Sequence, residues 1–142
     1  IVLAAAGLRR LGLLRENYRF LALEVMLPAI GQGAIGIECR QEDESIGELL
    51  DPLNDAATSL CVRAERAMNL VLGGDCHAPV AGHAYIQGND LTIAGSVSDI
   101  DGVRSVRSAA SGAIVDAEQI GKQLGETLLE NGAVQILMQN GR

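Results

Sequence analysis

The sequence predicts an α+β fold: a three-stranded antiparallel sheet with helices on one face. Three strand-like apolar runs lie close together between residues 80 and 109, separated by the turns "GND" and "DIDG". Turns that short join antiparallel neighbours. One helical pattern precedes them at residues 56–72 and another follows at about 117–131. Hydrophobic residues make up 48% of the chain against 20% charged, enough apolar material for a packed core. Aromatics supply only 2%, so aliphatic side chains and alanine must fill that core.

Taken in order, residues 1–5 read as a buried strand entered in its middle, followed by a short amphipathic turn around residues 8–14. No initiator methionine opens the chain, and a core strand needs neighbours, so we expect the C-terminal part of a longer protein. "FLALEVM" leads to Pro28 and then to "PAIGQGAIGIECR", in which Gly31, Gly33 and Gly36 accompany the alternating Ile35, Ile37 and Cys39. This predicts a strand or crossover segment with a glycine-rich start. The spacing is not that of a dinucleotide-binding fingerprint.

A short helix at residues 46–50 closes near Pro52, and Asn54 or Asp55 caps the helix at 56–72. Its apolar positions Ala57, Leu60, Cys61, Ala64, Met68, Val71 and Leu72 keep helical spacing, with Arg63, Glu65 and Arg66 between them. Gly73 and Gly74 stop it. Strands are expected at 80–87, 91–98 and 103–109. Asp116 caps the final helix, whose apolar positions are Ile120, Leu124, Leu128 and Leu129, with Gly132 as its stop.

A net charge of -7 argues against nucleic acid and against docking on anionic membrane. No apolar run approaches the roughly 20 residues that span a bilayer. Cys39, Cys61 and Cys76 are widely spaced and odd in number, with no zinc-type spacing, so reduced thiols in a cytoplasmic protein and no metal site are expected. Cys61 lies on a helical apolar stripe and Cys39 in a strand-like run, so both read as core. Cys76 differs, because "LVLGGDCHAPVAGHA" sets it after a helix stop, between Asp75 and His77. The helix C-terminus and Asp75 both put negative charge beside it, a poor setting for a thiolate. A redox cysteine is therefore disfavoured. Two readings stay open on the residues alone: a loop thiol without chemistry, or a thiol that captures a strong electrophile once and keeps it.

"ERAMNLVLGGDCHAPVAG" resembles the cofactor-attachment signature of the porphobilinogen deaminase (hydroxymethylbilane synthase) family. Glu65, Arg66, Gly74, Cys76, Pro79 and Val80 match it, while Asp75 stands where a small residue is usual and Ala78 where a branched one is. "LPAIGQGAIGIECR" is similar to the segment by which that family's second domain returns to its first, and "AAAGLRRLGL" to the piece before it. The resemblance covers nearly the whole chain. It implies that residues 1–27 end domain two, 28–52 are the return segment of domain one, and 53–142 are domain three. The sheet domain would then be preceded by strand and helix pieces of two incomplete α/β domains.

The resemblance also implies a dipyrromethane cofactor joined to Cys76 by a thioether. Four porphobilinogen units, each losing ammonia to give an electrophilic methylene-pyrrolenine, are added to it and released by hydrolysis as hydroxymethylbilane. Such an electrophile needs no activated thiolate, which fits the setting of Cys76. Arg10 is implied as a cofactor-facing cation, and Gln32 and Gly33 as polar and backbone contacts to the pyrroles. By sequence alone Arg10 reads equally as a solvated charge, and Gln32 with Gly33 as a plain tight turn. Each pyrrole unit brings two carboxylates, yet this acidic chain offers few cations besides Arg10 and Arg9. The family's catalytic aspartate and most of its arginines lie in the N-terminal half. We therefore expect no catalytic residue here, no deaminase activity from this chain alone, and two partners: that half of the protein and the growing pyrrole chain. An α+β interaction module without enzyme activity is the competing reading. Exposed apolar surface, and association of the chain, are expected from a severed strand and crossover.

Overall fold

The computed structural model describes residues 1–74 and 79–140. Two short helices lie in the N-terminal third, α1 (Ala5–Arg10) and α2 (Glu44–Leu50). Asp43 caps the second by accepting the Ile46 N–H, and a 3-10 turn at Asp51–Leu53 follows with Pro52 in its first turn. The strand expected over residues 1–5 is not formed. Residues 1–4 are exposed and irregular, and Ala5 already begins α1. A strand needs a partner for its backbone groups, and no described strand runs beside this segment.

Of the strand or crossover segment expected after Pro28, no strand is formed. Ile35 and Ile37 alternate as a strand would, but they are 92% and 57% exposed. Cys39, expected in the core, is exposed with them. The alternation is present, but no sheet among the described residues receives it. In this stretch Ala29 alone pairs, through one antiparallel bridge to Ala81.

The C-terminal portion carries the packing. Helix α3 (Ala56–Val71) starts at Asp55, whose side chain accepts the Thr58 N–H at 2.7 Å and satisfies one open donor of the first turn. Gly73, at φ +64, ends it in a conformation that other residues adopt only with strain. Strands β1 (Val80–Gln87), β2 (Asp90–Ser98) and β3 (Ser105–Ala113) form an antiparallel meander in the order β1-β2-β3. Gly88 and Asn89 close the first hairpin across the Gln87↔Asp90 pair. Positive φ at Gly88, and not at Asn89, marks a type II′ turn, whose twist suits a hairpin. β3 extends past the expected end, because Ala110, Ser111, Gly112 and Ala113 pair with β2 residues down to Asp90. Pairing here overrides weak strand propensity.

A 3-10 turn at Ile114–Asp116 leads into α4 (Ala117–Leu128). Asp116 holds the N-cap position, but its side chain makes no capping bond. It arrives at φ -100, ψ 18 out of that turn, whereas a capping side chain works from extended backbone. Gly132, at φ +106, kinks the chain before α5 (Val134–Asn140).

Helices α3 and α4 cover one face of the sheet and pack on each other. Met68, Leu91, Ile93, Val97, Leu124 and Leu128 are fully buried between them and β2. The two helices approach at glycines: a Cβ on Gly121 would lie 2.1 Å from the Ala64 carbonyl oxygen. The expected sheet with helices on one face is observed.

Candidate functional site

Cys76 and His77 lie outside the described residues, so the site is built from the segments that precede and follow them. α3 leads to Cys76 in sequence, and β1 follows it. The glycine-rich stretch expected to face the pyrroles folds as two successive turns. Gln32 N–H donates to the Ala29 carbonyl and Ala34 N–H to the Gly31 carbonyl, each at 3.0 Å. Gly31 and Gly33, at φ +69 and +87, occupy the third position of each turn, where type II geometry requires positive φ. Gln32 and Gly33 stand exposed on this double turn.

What holds the turn is Glu65. Helical spacing set Glu65 between the apolar positions, but it is buried at 5% exposure. Its Oε2 accepts the Gly31 N–H at 2.7 Å and its Oε1 accepts the Ala84 N–H at 2.8 Å. β1 is an edge strand, and Gly82 and Ala84 direct their N–H groups away from β2. Gly82 donates to the Pro28 carbonyl at 2.9 Å, and Glu65 takes the other. An edge donor buried without a partner would be costly, and charge-assisted bonds of this kind are the stronger ones. A sequence signal existed: Glu65 is four residues after Cys61 and three before Met68, on the apolar stripe itself.

A second clamp comes from β3. The Arg107 guanidinium donates to the Leu23 carbonyl at 2.8 Å and to the Glu24 carbonyl at 2.6 Å. Arg107, Ser96 and Ala81 form one row across the sheet. Residues 23–29 therefore cross from β3, at Arg107, to the Ala29–Ala81 bridge on β1. This strap, which sequence reasoning did not foresee, delivers the double turn to the outer edge of β1.

Arg10 ends α1, is exposed, and makes no hydrogen bond or ion pair among the described residues. Neighbouring Arg9 instead stacks over Phe20, 5.3 Å from the ring centre. No hydrogen bond joins Arg10 to Gln32 or Gly33 among the described residues. The Arg10 guanidinium and the exposed Gln32 amide are each donors of the kind that carboxylates accept. Cys61 is half-buried, and its thiol pKa is pushed up by burial first, then by the charges of Glu65 and Asp55. It is a poor nucleophile, in keeping with a core role. Among the described residues, no cluster of three or more His, Cys, Asp or Glu could hold a metal ion. None of the described helices is long and apolar enough to cross a membrane.

Comparison with known proteins matches two family models in order. Residues 1–48 match "Porphobilinogen deaminase, dipyromethane cofactor binding domain", and residues 59–130 match "Porphobilinogen deaminase, C-terminal domain". Arg10, Gln32 and Gly33 fall in the first match and Cys76 in the second. Proteins named porphobilinogen deaminase are similar over 137 residues: 47% identical in Syntrophotalea carbinolica, 43% in Geobacter sulfurreducens and 47% in Nitrosomonas europaea. Each alignment covers 96% of this chain but only 43–44% of the relative, so the chain spans less than half their length. The chain belongs to the porphobilinogen deaminase family.

Proposed function

We propose that this chain is the cofactor-tethering part of a transferase, a hydroxymethylbilane synthase, that deaminates porphobilinogen and joins four units into hydroxymethylbilane. The carrying observation is the ordered pair of family matches at residues 1–48 and 59–130, with "GGDCHAPV" inside the second. Dipyrromethane, when bound, supplies the pyrrole end that is extended. Cys76 tethers it by a thioether, and Arg10 neutralises a pyrrole carboxylate. The Gln32 amide and the Gly33 N–H donate hydrogen bonds to the same ligand. The resemblance to the family puts the catalytic carboxylate in the N-terminal half of the same protein. In this reading residues 1–27 end a second domain, 28–52 return to a first, and 53–142 form the third. Exposed Leu3, Ile35, Ile37 and Leu49 then pack within the remainder of the first two domains, to which they belong.

Intact-mass measurement of the full-length enzyme tests the tether. A covalent adduct of two porphobilinogen-derived units is expected, mapping to Cys76 and lost in Cys76→Ser. An unmodified thiol in an active enzyme would refute the role. The 142-residue chain by itself should not consume porphobilinogen.

A further inference from the structure

We infer that Glu65 is a positioning residue, whose buried carboxylate fixes where the double turn stands against β1 and so where Gln32 presents its amide. The inference rests on the reading of Gln32 and Gly33 as cofactor contacts given above. Both carboxylate oxygens are committed, one to each of two segments. Gly31 lies 34 residues from Glu65 on one side and Ala84 lies 19 on the other. One rigid carboxylate therefore sets the separation of the turn from the strand. The held Gly31 N–H lies on the peptide that enters Gly31, one before the peptide that joins Gly31 to Gln32, so it anchors the turn from which the Gln32 side chain projects.

Other contacts hold the segment independently. The Pro28 carbonyl keeps the Gly82 N–H, Ala29 keeps its bridge to Ala81, and Ile30 packs on the core cluster. Loss of the Glu65 clamp should thus displace the turn without unfolding the protein. Glu65→Gln makes that loss selective. The amide keeps one acceptor oxygen, but its NH₂ group then faces a backbone N–H, so one bond is replaced by a donor–donor conflict.

The test uses the full-length enzyme, with and without Glu65→Gln, and reads amide hydrogen exchange, covalent adduct and steady-state kinetics together. The variant should keep the adduct and its far-UV circular dichroism. Exchange at Gly31 or Ala84 should rise about tenfold while the rest of β2 and β3 stays protected. The KM for porphobilinogen should rise about fivefold, with a smaller change in kcat, because binding geometry and not proton transfer is altered. Unchanged exchange at both amides overturns the clamp. Faster exchange with unchanged KM overturns the positioning role, and a uniform rise across the whole sheet shows a merely structural residue. An unsubstituted enzyme with neither adduct nor turnover would sink the functional reading instead, leaving the exchange rates to decide the clamp.

Discussion

Replacing Gly121 with alanine sets two effects against each other. In an exposed helix the change stabilises by about 1 kcal/mol, because glycine is the poorer helix former. Here the new Cβ would lie 2.1 Å from the Ala64 carbonyl oxygen, 2.9 Å from its carbon and 3.1 Å from its Cα. Ordinary carbon–oxygen contact needs about 3.3 Å, so α3 and α4 must part by roughly 1 Å. The obstacle is backbone, and no rotamer change relieves it. A gap of that size forfeits about a quarter to a half of each dispersion contact across it. Met68, Leu124 and Leu128, fully buried at this junction, are the side chains that lose them. Overpacking of this kind costs about 3 kcal/mol, leaving a net loss of about 2 kcal/mol after the propensity gain. Gly47 on α2 is the control, because a Cβ there meets nothing within 4 Å. Gly47→Ala should be neutral or stabilising by up to about 1 kcal/mol. Urea unfolding followed by circular dichroism measures both. A Gly121→Ala protein as stable as the parent would refute backbone contact between the helices.

Thiol accessibility and acid sensitivity give two more predictions. In a Cys76→Ser background, maleimide should label exposed Cys39 rapidly and Cys61 only slowly until the protein unfolds; equal rates in the folded state would contradict the assigned burial. The Asp55 carboxyl is held below its ordinary pKa, chiefly by the Thr58 N–H and then by the Thr58 hydroxyl. Its contribution is therefore complete above the unfolded-state pKa and is lost as pH falls through the lower folded-state value, from about pH 4 downward. Asp55→Asn keeps a cap that does not ionise, so the melting-temperature difference between parent and variant should shift over that acid range. A difference that stays constant from neutral pH into acid would refute the assignment.

Sequence legibility followed the reach of the interactions. Asp55 with Gly73 marked the ends of α3, and Gly88-Asn89 marked a hairpin, because caps and tight turns are fixed by residues a few positions apart. The strand at 91–98 was equally readable, and its alternate residues Leu91, Ile93, Gly95 and Val97 are the buried ones. Residues 1–5 and 34–39 misled for the opposite reason. An apolar run in the first, and apolar alternation in the second, describe side-chain preference, but a strand exists only where another strand meets it. The Asp116 cap failed on backbone geometry that no residue type reveals. At the candidate site, the glycines at 31 and 33 were readable as turn formers. Glu65 was placed only between the apolar positions, and its burial was not foreseen, because its two N–H donors come from the distant Gly31 and Ala84. Arg107 gave no signal, as its acceptors are main-chain carbonyls 84 and 83 residues away.

The separation of partners along the chain also orders how the molecule assembles. In the meander, pairing begins at Gln87↔Asp90 and Ser98↔Ser105, so little loop entropy is lost in closing each hairpin. Such low-contact-order structure forms quickly, whereas contacts of long separation are slow to close. The sheet with α3 and α4 is then the nucleus, and the strap at Leu23 and Glu24 docks onto a surface already made. The turn that Glu65 holds is accordingly the late-forming part of the molecule, and the first to open when denaturant begins to loosen it.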